Sequence, residues 1–220
     1  MRLLAILILI LTLIPSAVSA DTHEVNMSYV RYDPLSGGGF VSINNITWGS
    51  WCKLGQKLDI PNRYVTSIGY HVWKFGNPTG DIILSIYNAT SDEIIFSQVW
   101  GSASNLSVWG AVPNLIEVPL TNPTCINGTV RICVEYYGGD MDNYCGGGYF
   151  TGDRITGEYY TNYRYGQWHD IGEAEEGAYY YTWVDEEDLR KESRFPLWII
   201  APIGAGVGGL VFIRRKRAKS

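Results

Sequence analysis

Histidine, cysteine and methionine are sparse in this chain, with three, four and three copies among 220 residues. His23, His71 and His169 stand far apart. No His-Glu-x-x-His pair, Gly-x-Ser-x-Gly elbow or phosphate-cradling loop ahead of a helix occurs, so the usual signatures of zinc hydrolases, serine hydrolases and nucleotide-binding enzymes are missing. His71 falls in a strand-like stretch and reads as a sheet residue rather than a base. A paired-carboxylate glycosidase is the one hydrolase class that needs no local motif, because its two acids have only to converge in space.

Basic charge is also sparse in the middle of the chain. Of 17 Lys and Arg, Arg2 and the five at 214–217 and 219 lie at the ends, leaving 11 against 22 acids in residues 21–194. A net charge near −11 excludes nucleic acid and anionic lipid as partners of this part, since both need basic patches. It suits cations, neutral glycans or a basic protein surface.

Charge is absent altogether from residues 195–213, Phe-Pro-Leu-Trp-Ile-Ile-Ala-Pro-Ile-Gly-Ala-Gly-Val-Gly-Gly-Leu-Val-Phe-Ile. At about 1.5 Å per residue this run reaches roughly 28 Å as a helix, enough to cross the hydrocarbon of a bilayer. A buried core helix would carry a polar stripe, and this run has none. The basic tail at 214–220 then lies in the cytoplasm and everything before the span outside. The start of the chain agrees with that topology: Met1-Arg2, an apolar run to Ile14, and small residues ending at Val18 and Ala20 form a secretory signal peptide over 1–20. In the span, Gly204 and Gly208 stand four apart, as in close-packed helix dimers, which makes a homodimer through that face an expectation.

The exported part, 21–184, is long enough for one domain with a substantial core. Residues 185–194 are charged and poor in core residues, and read as a solvated stalk. All four cysteines, Cys52, Cys125, Cys133 and Cys145, fall in the exported part. None has the close spacing of a zinc knuckle, so in an oxidising compartment they read as two disulfides. Three pairings are open, with Cys52–Cys125 and Cys133–Cys145 preferred. Five glycosylation sequons, at Asn26, Asn45, Asn88, Asn105 and Asn127, lie in the same part.

The patterns within the domain are those of strands. Alternation over 64–75 puts Ile68, Tyr70 and Val72 on one face. A turn at 76–80 leads into a hairpin over 81–100 with Ile82, Leu84 and Ile86 inward. Ile116, Val118 and Leu120 form another inward face, and Val130, Ile132 and Val134 a further one that leaves Cys133 on the opposite side. A glycine-rich turn is expected over 138–148, with short aromatic segments after it. Many short strands between turns predict an all-β, antiparallel sandwich.

Two stretches offer binding chemistry. Asp140, Asp142 and Asn143, with Asp153 as a further ligand, place oxygen atoms on a flexible loop as Ca²⁺ requires, although Asp and Asn are also ordinary turn formers. The aromatic series Tyr159, Tyr160, Tyr163, Tyr165 and Trp168, followed by Tyr179, Tyr180, Tyr181 and Trp183, provides rings that stack on sugars or grip a protein. Alternation sends about half of any such series into the core.

Gln56-Lys-Leu-Asp-Ile-Pro61, Gly76-Asn-Pro-Thr-Gly80, Ile83-Leu-Ser-Ile-Tyr87 and Gly166-Gln-Trp168 occur in an order that resembles the choice-of-anchor surface ectodomains, over residues 50 to 184. The resemblance implies a jelly-roll β-sandwich, related to carbohydrate-binding and adhesin-like domains, with no catalytic motif to carry over. The expectation is therefore a single-pass cell-surface protein whose β-sandwich recognises a glycan or another surface protein. The alternatives are a structural component of a glycosylated surface layer and a tethered glycan hydrolase. Sequons, a basic tail and the lack of a cell-wall sorting motif suit an archaeal surface, and eukaryotic and viral envelopes share these marks.

Overall fold

In a computed structural model the described residues are 21–24, 39–43, 52–109, 114–151, 156–171 and 175–193. The signal segment, the span at 195–213, Asn26, Asn45, Asp153, Gly204 and Gly208 lie outside them. Among the described residues no helix is long and apolar enough to cross a membrane.

The described chain is all-β, with eleven strands: β1 (Asp21–Glu24), β2 (Gly39–Ile43), β3 (Lys53–Phe75), β4 (Asp81–Asn88), β5 (Ile94–Ser102), β6 (Asn114–Tyr136), β7 (Tyr144–Thr151), β8 (Tyr159–Arg164), β9 (Gln167–Ile171), β10 (Glu175–Gly177) and β11 (Tyr179–Val184). Every pairing between them is antiparallel, and the order β1-β11-β3-β6-β4-β5 forms the backbone of the sheet. A short helix, α1 (Glu186–Ser193), follows within the charged stretch at 185–194. Its first turn carries Glu186, Glu187 and Asp188, which favour the positive end of the helix, and Glu186 pairs with Arg190 one turn on at 2.5 Å.

The sheet is organised around β3 and β6, each 23 residues long and paired along almost their whole length. Sequence patterning gives two shorter strands within β6 and only one, over 64–75, within β3. The chain continues because the irregularities are taken up as bulges, between Ile60 and Arg63 and between Val65 and Ser67, with Asn62 in the left-handed region at φ 44°. Bulges bend a strand without ending it. The result is visible at Gly147, where an added Cβ would lie 2.9 Å from Leu54 and 3.2 Å from Tyr70. Those two residues are sixteen apart in β3, roughly 50 Å along a straight strand. β3 therefore folds back so that its two halves face each other across the core.

The core fills the space between. Leu54, Leu58 and Ile60 from the first half of β3 join Ile68, Tyr70 and Val72 from the second, with Ile82, Leu84 and Ile86 of β4 and Ile116, Val130, Ile132 and Val134 of β6. Each inward face expected from alternation is buried. The glycine-rich stretch divides differently from the sequence expectation: only 138–143 is turn, and Gly146, Gly147 and Gly148 are strand residues of β7. Gly147 has to be small because Leu54, Tyr70 and Ile43 converge on it.

The expected disulfides are not formed, and all four cysteines are free thiols. Cys133 is buried on the face of β6 that also carries Arg131 and Glu135, whereas Cys145 is buried in the aliphatic core behind it. Cys125 is exposed opposite Tyr64 near the bend of β3, and Cys52 stands at the start of that strand. Spacing in sequence gave no warning that the sheet would put the members of each preferred pair on different faces or at different ends. Burial raises the Cys52 and Cys133 thiols above their ordinary value and brings Cys145 to about 12.

Candidate functional site

Two-residue alternation gives the first half of β3 and the second half of β6 two distinct faces. One is the aliphatic core. On the other, register sets Lys53 opposite Glu135, Gly55 opposite Cys133 and Lys57 opposite Arg131, with Tyr87 of β4 beside Arg131. On the far side of β3, Tyr163 and Thr161 of β8 lie opposite Lys53 and Gly55, and Trp168 and Asp170 of β9 lie opposite Tyr163 and Thr161.

The sheet curls strongly about this face. Tyr87 and Trp168 are separated by the three strands β6, β3 and β8, which at about 4.8 Å per strand would put them roughly 19 Å apart on a flat sheet. Their ring centroids are 5.2 Å apart. β9 thus turns back over β4 and β6 and encloses a trough of charged and aromatic side chains.

Two linked groups fill that trough. In the first, Glu135 is 3% exposed and accepts hydrogen bonds from the hydroxyls of Tyr87 at 2.6 Å on Oε1 and Tyr137 at 2.5 Å on Oε2, while Lys53 Nζ lies 3.3 Å from Oε2 as well. Lys53 also hydrogen-bonds the Tyr87 hydroxyl and sits 4.3, 5.1 and 5.8 Å from the ring centres of Tyr87, Tyr163 and Trp168. In the second, Arg131 is 5% exposed and donates to Asp92 at 2.9 Å, to the Ala89 carbonyl at 3.1 Å and to Asp170 at 3.4 Å. Asp170 also accepts from Lys57 at 2.7 Å and Thr161 at 2.8 Å.

The two groups meet at Trp168. Arg131 lies 4.9 Å from its ring centre, and Tyr163 meets it edge-on at 5.1 Å. Three cations, Lys53, Lys57 and Arg131, face three carboxylates, Glu135, Asp170 and Asp92, so the trough is close to neutral within an acidic domain. Burial and then the Glu135 carboxylate hold the Tyr87 and Tyr137 hydroxyls above the ordinary range. Burial alone would raise Asp170, but the hydrogen bonds from Lys57 and Thr161 and the charge of Arg131 outweigh it and lower its carboxyl. Gly55 is required by this packing, because a Cβ there would meet the Ile132 carbonyl at 2.2 Å and Cys133 Sγ at 2.6 Å.

The structure sorts the expected aromatic residues. Tyr163 and Trp168 belong to the trough and are part-exposed, Tyr159 lies beside Lys57 at its rim, and Tyr165 is 71% exposed on the β8–β9 turn. Tyr160 does not belong to a surface patch: it points into the aliphatic core, close to Tyr149. Tyr179, Tyr180 and Tyr181 are buried as well, while Trp183 is part-buried with Arg63 over its ring at 3.9 Å. Lys53, Lys57, Tyr87, Arg131, Glu135 and Asp170 were not anticipated. The signal was present in β6, where Arg131 and Glu135 alternate with the inward Val130, Ile132 and Val134; charge facing away from a core ordinarily faces water.

At the expected calcium loop, Asp140 accepts hydrogen bonds from the backbone N–H of Asp142 and Asn143, both at 2.8 Å, and from the Asn143 amide at 2.9 Å. The Asn143 amide oxygen in turn accepts from the Asn77 N–H at 2.8 Å, so these residues close the turn and tie it to the 76–80 loop. Hydrogen bonds from Asn143 and the backbone lower the Asp140 carboxyl. Among the sequons, Asn88 caps the β4–β5 turn, accepting from Thr90 and Ser91, and Asn105 and Asn127 are exposed.

Compared with protein families, curated proteins and solved structures, the chain matches none.

Proposed function

We propose that this is an exported, single-pass cell-surface protein of the choice-of-anchor type, whose jelly-roll-like ectodomain binds a neutral or basic glycan at the trough around Trp168. The carrying observation is a part-exposed indole locked between two tyrosine rings and two cations, with Asp170 and Lys57 at its rim. Sugars bind by stacking their apolar faces on a fixed ring while hydroxyls bond to neighbouring carboxylates and ammonium groups. Holding the ring in place before the ligand arrives removes an entropic cost of binding.

A second reading, a structural component of a surface layer, is favoured by a different observation: the polar groups of the trough already satisfy one another. The hydrolase reading draws on Glu135 and Asp170, two of the three carboxylates this face brings together. Each is paired with a cation and hydrogen-bonded, which suits a fixed scaffold better than proton transfer. The domain is read as a binding module rather than an enzyme.

The test is a broad glycan array probed with the full chain in neutral detergent, with and without calcium. Binding that Trp168→Ala abolishes and chelation leaves intact supports the trough. Binding that needs calcium moves the site to the Asp140 loop. No binding in either condition favours the structural reading, and cleavage of a bound glycan the hydrolase.

A further inference from the structure

β4 ends at Asn88, the first residue of the sequon Asn88-Ala-Thr90, and the turn that follows is built onto the trough. Arg131 donates to the Ala89 carbonyl at 3.1 Å and, from the same nitrogen, to the Asp92 carboxylate at 2.9 Å. Asp92 takes a left-handed backbone at φ 59°, and its N–H returns to the Asn88 carbonyl at 3.0 Å. Arg131 in turn stands 4.9 Å from the Trp168 ring centre. Through these contacts and ordinary bond lengths, the Asn88 Cα lies at most about 16 Å from that ring. The Asn88 side chain is fixed as well. Its amide oxygen accepts from the N–H groups of Thr90 at 2.8 Å and Ser91 at 3.0 Å, so a sugar attached to Nδ2 leaves the cap of the turn intact.

We infer that the trough at Trp168 is occupied in cis by the N-linked glycan of Asn88. The inference rests on the glycan-binding reading above and names its ligand, the neutral hexose and N-acetylhexosamine units nearest the protein. The span from Asn88 to the indole is the length of a few linked pyranose rings. Units beyond the first therefore lay an apolar face on Trp168 while their hydroxyls meet Lys57 and Asp170 at the rim. The polar groups of the trough already bond one another, so it offers ring stacking more than unmet hydrogen bonds. Such a site is weak, and it fills when its ligand is tethered beside it. A short tether gives an effective concentration of about 1 mM, so an affinity of about 0.1 mM keeps the glycan docked about nine-tenths of the time. Asn105 provides an internal reference. It is exposed at the other end of β4, where the Ala103 N–H bonds the Gly80 carbonyl at 2.8 Å, roughly 23 Å along the strand from Asn88.

The test uses the full chain in neutral detergent from a host that attaches oligomannose glycans, with occupancy at Asn88 and Asn105 read by mass spectrometry. Endoglycosidase should release the Asn88 glycan about tenfold more slowly than the Asn105 glycan, and Trp168→Ala should speed release at Asn88 without changing it at Asn105. Thr90→Ala removes the sequon at an exposed position, keeps the Asn88 cap and leaves the trough untouched. Radical oxidation of Trp168 should rise in that variant by about the same factor. An Asn88 without glycan in the wild-type chain, release at Asn88 that Trp168→Ala leaves unchanged, or equal oxidation of Trp168 with and without Thr90 would overturn the inference. Chain made without N-glycosylation separates the two claims on the glycan array. If it binds there through Trp168 while the Asn88 glycan is released freely, the glycan reading stands and the cis ligand falls. If it binds nothing and the Asn88 glycan is released freely, both fall.

Discussion

Replacing Glu135 by leucine removes the counter-charge of Lys53 and the acceptor of two tyrosine hydroxyls from a place that is 3% exposed. Removing one partner of a buried ion pair costs about 3–5 kcal/mol, because the other charge is left without compensation. Lys53 keeps three aromatic rings around it, which puts the cost near the lower end, about 3 kcal/mol. Replacing Lys53 by methionine is cheaper. Glu135 retains the Tyr87 and Tyr137 hydroxyls, and the loss is about 1–2 kcal/mol. The double variant replaces the pair by apolar groups of similar size, which is often near neutral, so it should be no less stable than Lys53→Met alone. The two changes should thus be coupled by about 2 kcal/mol or more. Urea unfolding of the full chain in neutral detergent, followed by tryptophan fluorescence, measures all three. In a chain of this size Glu135→Leu should also lower Tm by about 6–12 °C. Additive effects, or a Lys53→Met variant as damaged as Glu135→Leu, would refute the idea that the pair is buried and mutually dependent.

Gly55→Ala should destabilise the fold by about 1–3 kcal/mol in the same assay, since its Cβ meets a backbone carbonyl that cannot retreat without breaking the β3–β6 pairing. His71 gives a pH prediction. Burial lowers its pKa to about 4, so its neutral form stabilises the fold fully above the unfolded value of about 6.5, and that contribution is lost as pH falls from about 6.5 to about 4; His71→Gln should flatten stability across that window. Asp170 acts at more acid pH. Its lowered pKa contributes stability present above about 3.9 and lost as pH falls through the folded value, and Asp170→Asn should remove that acid-limb dependence while weakening the fold at neutral pH.

Much of the core was legible in the sequence. Alternation in β4, β6 and the second half of β3 named the buried residues, because each of those strands has one apolar face and the pattern is local. The continuity of β3 and β6 was not legible, since Pro61, Asn62, Asn122 and Pro123 look like breaks and act as bends between the paired stretches of one strand. The trough was hidden for a related reason. Lys53, Arg131 and Asp170 come from three strands, and they meet only because the sheet curls enough to carry β9 over β4. Trp168 was recognisable as an aromatic candidate, but its neighbours depend on that curvature. The cysteines misled because their even number says nothing of which face each occupies.

The most direct test of the binding account is the affinity of the full chain for the best glycan of the array, compared between the wild type, Trp168→Ala and Trp183→Ala, with circular dichroism to verify that each is folded. The account predicts a loss of about tenfold or more for Trp168→Ala, equivalent to about 1.4 kcal/mol, and little change for Trp183→Ala. Unchanged affinity in a folded Trp168→Ala chain would contradict it.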